Sequence, residues 1–369
     1  MTKPRLLWVN VTFFTVSTLM ALVAAPLWGY FHGFETWQWL TLIVLFSYCN
    51  LSITAGYHRL WSHKTYQAHP ALRWLFALGG ALAIQNSVIH WSSDHRVHHR
   101  HVDDNKVDPY SAGRGFWFSH IGWMLREYQP DRYDDYGNVR DLQKDPVVAF
   151  QHKHYLALTL VMNFGIPLLL GMVFGDVIGA LLLVGFVRIF LTHHTTFFIN
   201  SLAHIWGKRT YSDKHTARDN GFLALLTFGE GYHNFHHSFE NDYRNGIRWF
   251  DYDPTKWLIK GASLLGLAQG LRKTPEELIV KARLTRQLEE TKVRAQAKGL
   301  CFNELHRHYE ETLAAAQHYY QLRKRWLQMK KAKLMQSVEA LELRRQLEEM
   351  GEKFRQMQSH WQQLRLQLA

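Results

Sequence analysis

Nine histidines of this chain are grouped at spacings that suit the binding of metal ions. The first group has the pattern H-x4-H, and two later groups each have the pattern H-x-x-H-H. Residues three and four apart lie on one face of a helix, so each H-x-x-H-H group directs its imidazole rings to one place. A further histidine ends the motif N-S-L-A-H. The nine are His58, His63, His95, His98, His99, His204, His233, His236 and His237.

These ligands indicate a redox centre rather than a structural metal site. Imidazole binds iron, copper, zinc and nickel, whereas magnesium and calcium prefer oxygen ligands. Nine imidazoles are too many for one tetrahedral zinc ion but suit two ions of higher coordination number. We therefore predict two irons. Carboxylates near the ligands are expected to orient some of the rings; the candidates are Asp94, Asp103, Asp104, Asp108 and Glu230.

The amino-acid composition argues against several other classes of protein. The chain has 369 residues, a net charge of +12 and two cysteines, Cys49 and Cys301. Two cysteines provide neither a disulfide framework nor an iron–sulfur site. The basic charge could suit nucleic acid, anionic lipid or an acidic substrate. The apolar runs favour lipid headgroups and a phosphorylated carrier, and no nucleic-acid partner is predicted.

Four apolar runs are long enough to cross a bilayer, which takes roughly 18–20 residues. Short loops join them in pairs, and the basic stretches then fall on one side. Since positive charge favours the cytoplasm, both termini and every histidine group should lie there. Arg188 interrupts the last run, and two interpretations stay open: a functional residue that faces the helix bundle, or an interface anchor or partner for a buried carboxylate. The runs are 6–31, 36–57, 155–175 and 177–199.

A fifth apolar run, Trp74–Ile89, has only 16 residues. That is short for a membrane span and fits an interfacial or re-entrant helix. A crossing here would also place His58 and His63 on the opposite side from His95. We therefore predict four membrane-spanning helices, not five.

The composition changes after Leu271, so residues 1–270 and 274–369 are predicted to form separate domains. Thr274-Pro275-Glu276-Glu277 is a helix start, and the residues that follow are rich in Glu, Lys, Arg, Gln and Leu. Apolar residues then recur with the spacing of a coiled-coil seam. A coiled coil or helical hairpin is favoured, with self-association possible, over an amphipathic helix on the membrane surface. One repeat comprises Leu313, Tyr320, Leu327, Leu334 and Leu341, and a second runs from Leu343 to Leu368.

The motifs HRLWSH, DHRVHHRHVDDNKVDPY, NSLAH and GEGYHNFHH resemble those of the membrane-bound fatty acyl desaturases, specifically the stearoyl-CoA (Δ9) group. The resemblance covers roughly residues 5–270 and does not include the C-terminal extension. The chain thus resembles a bacterial-type member of the family that carries an additional C-terminal helical extension. It implies an all-α integral membrane protein with four transmembrane helices and a cytosolic helical cap that carries a di-iron centre.

The resemblance also implies roles for single residues. One iron would be held by His58, His63, His95, His99 and His236. The other would be held by His98, His204, His233 and His237, with Asn200 reaching it through water. Gln85, Trp91 and Thr196 would contact the bent part of the acyl chain, and Asn86 and Asp94 would lie near the thioester carrier.

The implied activity is O2-dependent insertion of a cis double bond, at Δ9, into a saturated acyl chain. The carrier is CoA or phospholipid, because Ser93, Glu127 and Tyr128 stand where the animal enzymes have basic residues that contact CoA. No GxGxxG fingerprint, cysteine cluster or haem motif is present, so the electrons must come from a separate donor. A ferredoxin, a rubredoxin or a b-type cytochrome with its reductase is implied.

Two other functions remain open. A membrane di-iron hydroxylase or monooxygenase has similar histidines and differs in the fate of the carbon radical. A metal-binding membrane scaffold would instead use the C-terminal extension as its working part. The order of the four motifs favours desaturation.

Overall fold

The computed structural model describes residues 4–297 and 303–367. Cys301 and Leu368 lie outside this range. Residue contacts divide the chain into two compact units, one of residues up to 208 with 215–273 and the other of 209–214 with 274 onward. Whether each unit folds as an independent domain remains a prediction.

The first unit is helical apart from one short strand pair. Its helices are α1 (Trp8–His32), α2 (Thr36–Ser62), α3 (Pro70–Ala83), α4 (Val88–Arg100), α5 (Phe116–His120), α6 (Arg140–Gln143), α7 (Pro146–Lys153), α8 (Tyr155–Phe174), α9 (Val177–Ile205), α10 (Gly221–Leu226), α11 (His233–Ser238) and α12 (Pro254–Leu264). Strands β1 (Gln67–Ala68) and β2 (Ala268–Gln269) pair antiparallel. Short 3-10 turns fall at Ala112–Arg114, Gly122–Met124, Pro130–Arg132 and Gly137–Val139.

Four of these helices, α1, α2, α8 and α9, are long and apolar enough to cross a membrane. Their outward leucines and valines are largely exposed, as expected where lipid replaces water. The prediction of a mostly helical membrane protein with four candidate spans is therefore confirmed. The first turn of α2 is bound to the loop between α8 and α9, since Gln38 Nε2 donates to Asp176 at 2.8 Å.

The apolar run Trp74–Ile89 falls on a broken helix pair. Helices α3 and α4 meet at 84° across a break of four residues. His63 before the pair and His95 within α4 have their Nε2 atoms 2.8 Å apart. This contact favours a re-entrant pair over a fifth crossing. Gly79 and Gly80 let α3 pack closely on α2, because a Cβ at either would collide with Ser52 or Tyr57.

Arg188 lies in the middle of α9 and is fully buried. Its guanidinium donates to the carbonyls of Val184 and Leu82 at 3.0 Å and to Asn163. The expectation of an interface anchor or a carboxylate partner is therefore wrong. Buried carbonyls and an amide satisfy this cation instead, and they hold α9 to α3 and α8.

The second unit contains three long helices, α13 (Glu276–Ala297), α14 (Asn303–Lys331) and α15 (Val338–Gln367). Helices α14 and α15 form an antiparallel hairpin, in which Tyr309 faces Trp361 and Tyr319 stacks on Phe354. The unit has its own apolar core, with α13 contributing Val280 and Leu284. The coiled-coil seam remains a prediction, since Leu327, Leu334 and Leu341 of the first repeat are exposed.

Candidate metal centre and apolar cavity

The structure brings the nine histidines together in two groups. The nitrogen atoms of each group all lie within 4.8 Å of one another. The first group contains His58, His63, His95, His99 and His236, and the second contains His98, His204, His233 and His237. The membership is the one that the family resemblance implies, and metal binding by these residues stays a prediction.

Four elements of the first unit position the rings. His58 lies in the C-terminal part of α2, where Ser52–Ser62 winds as a π-helix, and His63 caps that segment. Such wide turns are frequent at functional sites. Helix α4 presents three histidines, α9 ends with His204, and the short helix α11 supplies the last three.

The donor set fits metal cations. A cation about 2.1 Å from each nitrogen would separate neighbouring nitrogens by about 3.0 Å and opposite ones by about 4.2 Å. The Nε2 of His236 lies 2.9 Å from that of His58 and 3.0 Å from that of His99. In the second group the Nε2 of His233 lies 3.2 Å from His204 and 3.1 Å from His237.

Burial favours the neutral form of four of the rings, which is the form that metal binding requires. Burial lowers the pKa of His63, His233, His236 and His237 well below the ordinary histidine value, and the neighbouring imidazoles lower it further. Protonation inside either group would place like charges side by side. Each group therefore presents nitrogen lone pairs at neutral pH.

Partners at Nδ1 set the tautomer of several rings. The Nδ1 of His58 donates to Glu230 at 3.0 Å, and that of His98 donates to Asp108 at 2.9 Å. With Nδ1 protonated, Nε2 keeps its lone pair and faces the site. The other such contacts are His99 with Glu240 at 3.1 Å, His95 with Tyr110 at 3.2 Å and His204 with Thr216 at 2.8 Å.

Glu230, like Asp108, is almost fully buried. It also accepts hydrogen bonds from Arg59 at 2.9 Å and Asn245 at 2.7 Å. Burial alone would raise the pKa of Glu230, but His58 and Arg59, which both donate hydrogen bonds to it, lower it to about 2. Glu230 is therefore a buried carboxylate anion fixed against the ring of His58. Asp253 also pairs with Arg59, at 3.1 Å.

Of the other predicted carboxylates, some contact a histidine of the two groups and some do not. Asp103 reaches His204 through the hydroxyl of Thr216, which donates to it at 2.6 Å. Asp104 binds backbone amides of its own turn, and Asp94 lies 3.5 Å from His90. The sequence analysis missed Glu240, Tyr110 and Thr216. Each of them is separated along the chain from the histidine it contacts, so no local spacing pattern links the two residues.

The two groups adjoin each other. The rings of His99 and His237, one from each group, stack with centroids 4.2 Å apart and planes 3° from parallel. His98 and His99 are neighbours in the chain and belong to different groups. Two ions bound by these groups would therefore lie next to each other.

A cavity of about 950 Å³ extends along the spans. Its wall is mainly apolar, and the size is that of a site for a lipid-like ligand. The wall follows α9 from Asn200 to Leu181, roughly 28 Å at 1.5 Å per residue. It reaches the histidines through Trp91, whose ring stacks on His95 with centroids 4.7 Å apart, and through Tyr110.

The three predicted acyl-chain contacts and the two residues predicted near the carrier all line this cavity, as does Asn200. Gln85 Nε2 donates to the Thr196 hydroxyl at 2.8 Å, so the two form one polar spot in an apolar wall. A small hollow adjoins the cavity and shares His90 and Asp94 with it. Arg126 and Arg132 line this hollow. The five residues are Gln85, Asn86, Trp91, Asp94 and Thr196.

Comparison with known proteins gives one consistent result. A family model for fatty acid desaturases matches residues 35–265. A probable acyl-CoA desaturase of Schizosaccharomyces pombe is 43% identical over 276 residues, which are 74% of this chain and 57% of that protein. Acyl-CoA desaturase 1 of Saccharomyces cerevisiae is 47% identical over 244 residues, which are 66% of this chain and 47% of that protein.

The chain thus spans about half the length of these two fungal relatives. A sn-2 palmitoyl-lipid 9-desaturase of a Nostoc species is 36% identical over 283 residues, 74% of this chain and 93% of the relative. The family match covers more than half of the chain and contains all nine histidines. On this evidence the chain belongs to the fatty acid desaturase family.

Proposed function

We propose that this protein is an O2-dependent di-iron desaturase that inserts a cis double bond, at Δ9, into a saturated acyl chain. The observation that carries the proposal is the junction between the two histidine groups and the long apolar cavity. Trp91 belongs to the cavity wall and stacks on His95. An acyl chain in the cavity would therefore pass beside the candidate metal centre.

The proposed ligands follow the two observed groups. His58, His63, His95, His99 and His236 would hold one iron. His98, His204, His233 and His237 would hold the other, with Asn200 contributing through water. When bound, the irons would supply the oxidising power from O2 that unactivated C–H bonds require.

The reaction balances with an external reductant. A CH2–CH2 pair loses two hydrogens, and O2 accepts these with two further electrons and two protons to give two waters. Sequence motifs for a flavin, haem or iron–sulfur cofactor are absent. A ferredoxin, a rubredoxin or a b-type cytochrome with its reductase is the proposed electron donor.

The protein's own part is to place one methylene pair and to exclude others. The Gln85–Thr196 pair and Trp91 line the cavity, and the Trp91 ring stacks on His95. A chain that bends there presents a fixed carbon pair. Because the wall beyond is apolar, the methyl end is held by burial rather than by polar contacts.

The carrier is proposed to be CoA first and phospholipid second. Both carry phosphate, which suits the two guanidinium groups of Arg126 and Arg132 beside the cavity. Asp94 lies 3.9 Å from Arg132, so part of that charge is already compensated. The relatives named above include proteins that act on both kinds of acyl chain.

The proposed topology places both termini and the histidine groups in the cytoplasm. The loops between paired spans are short and carry few charges, whereas the segments that hold the histidines are basic. This arrangement would expose the centre to soluble electron donors.

The test is lipid profiling in a host that lacks its own desaturase. The wild-type chain should produce monounsaturated acyl chains with one double-bond position, and a His98→Ala, His99→Ala variant should not. His101→Ala is the matched control, because His101 is exposed and belongs to neither group. Unsaturated lipid retained in the double variant would overturn the proposal.

Product mass separates desaturation from the two alternatives. A hydroxylase or monooxygenase would add one oxygen to the acyl chain, whereas a desaturase removes two hydrogens. A metal-binding scaffold would leave the acyl chains unchanged. Defined acyl-CoA and acyl-phospholipid substrates, offered separately to membranes from the same strain, identify the carrier.

A further inference from the structure

The tip of the α14–α15 hairpin combines exposed apolar side chains with a high positive charge. We define the hairpin tip as residues 322–341. It contains six lysines and arginines against one glutamate. Leu327, Leu334, Val338 and Leu341 are 45%, 53%, 84% and 60% exposed.

These apolar residues are not part of the core of the second unit. Within the tip, Leu322 and Ala340 are buried where it joins the rest of the hairpin, and the core continues from there toward Trp361. The turn itself is well formed. Lys333 has a φ of 58°, and the Leu334 amide donates to Met329 at 3.0 Å, which closes the end of α14. Leu334 is thus held outward by a defined turn.

The positive charge of the tip is only partly compensated. Arg323 pairs with Glu276, and Arg325 lies 4.0 Å from Glu339. The lysines form no ion pair within the part of the chain that the structure describes; they are Lys324, Lys330, Lys331 and Lys333. The Lys330 ammonium instead lies over the Trp326 ring, 5.6 Å from its centroid.

We infer that the hairpin tip docks on an anionic phospholipid surface. Leucine and valine side chains can enter the boundary between headgroups and acyl chains, while lysines contact the phosphates. A second copy of the tip is a poorer partner, because the two net positive charges would repel. The tip is also joined through the chain to four candidate membrane spans, so it meets lipid at high local concentration.

The test uses the full chain in discs of neutral phosphatidylcholine. An environment-sensitive fluorophore is attached to Val338→Cys, with Cys301 replaced by serine and the buried Cys49 left in place. Vesicles of equal parts phosphatidylcholine and phosphatidylglycerol should shift the emission to the blue, and vesicles of phosphatidylcholine alone should not. The same label at Val293→Cys is the control, because Val293 is 68% exposed on α13, away from the tip.

Neutralising the lysines provides the second measurement. Replacing Lys330, Lys331 and Lys333 by glutamine should weaken the apparent vesicle affinity by about 100-fold, since each basic residue contributes about fivefold. Circular dichroism of this variant should match the parent, because all three side chains are exposed.

Three results would overturn the inference. The first is no shift with anionic vesicles, or an equal shift in the glutamine variant. The second is a shift produced by polyglutamate but not by vesicles, which would identify an acidic protein as the partner. The third is a shift that follows protein concentration without any vesicles, which would identify a second copy.

Discussion

Two glutamates of the candidate centre make the same contact in different surroundings. Glu230 accepts from Nδ1 of His58 at 3.0 Å, and Glu240 accepts from Nδ1 of His99 at 3.1 Å. The Glu230 side chain is 2% exposed and that of Glu240 is 48% exposed. Substitution of each by glutamine therefore compares one hydrogen bond in a buried and in a hydrated setting.

The expected magnitudes differ because water screens only one of the pairs. Buried hydrogen bonds to a charged group contribute about 1.5–3 kcal/mol, and exposed pairs contribute about 0–1 kcal/mol. The pKa of Glu230 is lowered from 4.5 to about 2 by His58 and Arg59 together, which is the direction expected where water does not screen the contacts. Loss of an orienting partner commonly weakens metal binding by about 10–100-fold. Glu230→Gln should fall in that range, and Glu240→Gln should change binding less than about threefold.

The assay is iron retention against a competing chelator, with iron counted per chain. Each variant is purified with bound iron and incubated with increasing chelator. The chelator concentration that removes half of the iron should fall by about 10–100-fold for Glu230→Gln. Equal losses in the two variants would refute the argument from burial. No loss in either would show that these carboxylates do not orient ligands.

Three further substitutions test the cavity, the C-terminal unit and the buried cation. Gly185→Leu fills the cavity about 17 Å from Thr196, at 1.5 Å per residue, and should shift the products to shorter acyl chains in gas chromatography; an unchanged profile would contradict the proposed path. Trp361→Ala should destabilise the C-terminal unit by about 3–5 kcal/mol. On heating, the variant should lose helical circular dichroism signal at a lower temperature than the wild type, while its iron content stays unchanged. Parallel losses of iron and helix would contradict the separate cores. Arg188→Ala removes the donor from buried carbonyls, which costs about 1–3 kcal/mol for each carbonyl, so the melting temperature in detergent should fall. An unchanged melting temperature would show that Arg188 does not stabilise the packing of α9.

The sequence predicted the spans and the histidine groups because both depend on local patterns. Long uncharged runs define membrane helices, and spacings of three and four place rings on one helix face. The second span is predicted to end at about residue 57, and where it leaves the membrane stays a prediction. Helix α2 continues to Ser62, because its polar end is buried with His58 rather than exposed at a membrane surface.

Contacts between distant segments gave no such local signal. Glu240, Tyr110 and Thr216 are ordinary surface-type residues in the sequence, and only the fold brings them to the histidines. The repeat through Leu327 and Leu334 shows the opposite case. The periodic pattern continues past the point where the hairpin core ends, so those residues match a seam but lie exposed. Periodicity predicts which face is apolar, not what covers it.

The most direct measurement of the central claim is the iron content of the full chain after expression with ample iron. Two irons per chain are expected, one for each histidine group, and a variant with His233, His236 and His237 all replaced by alanine should bind neither stably, because both groups lose ligands. A wild-type chain that binds well under two irons, or the same amount as that variant, would contradict the account.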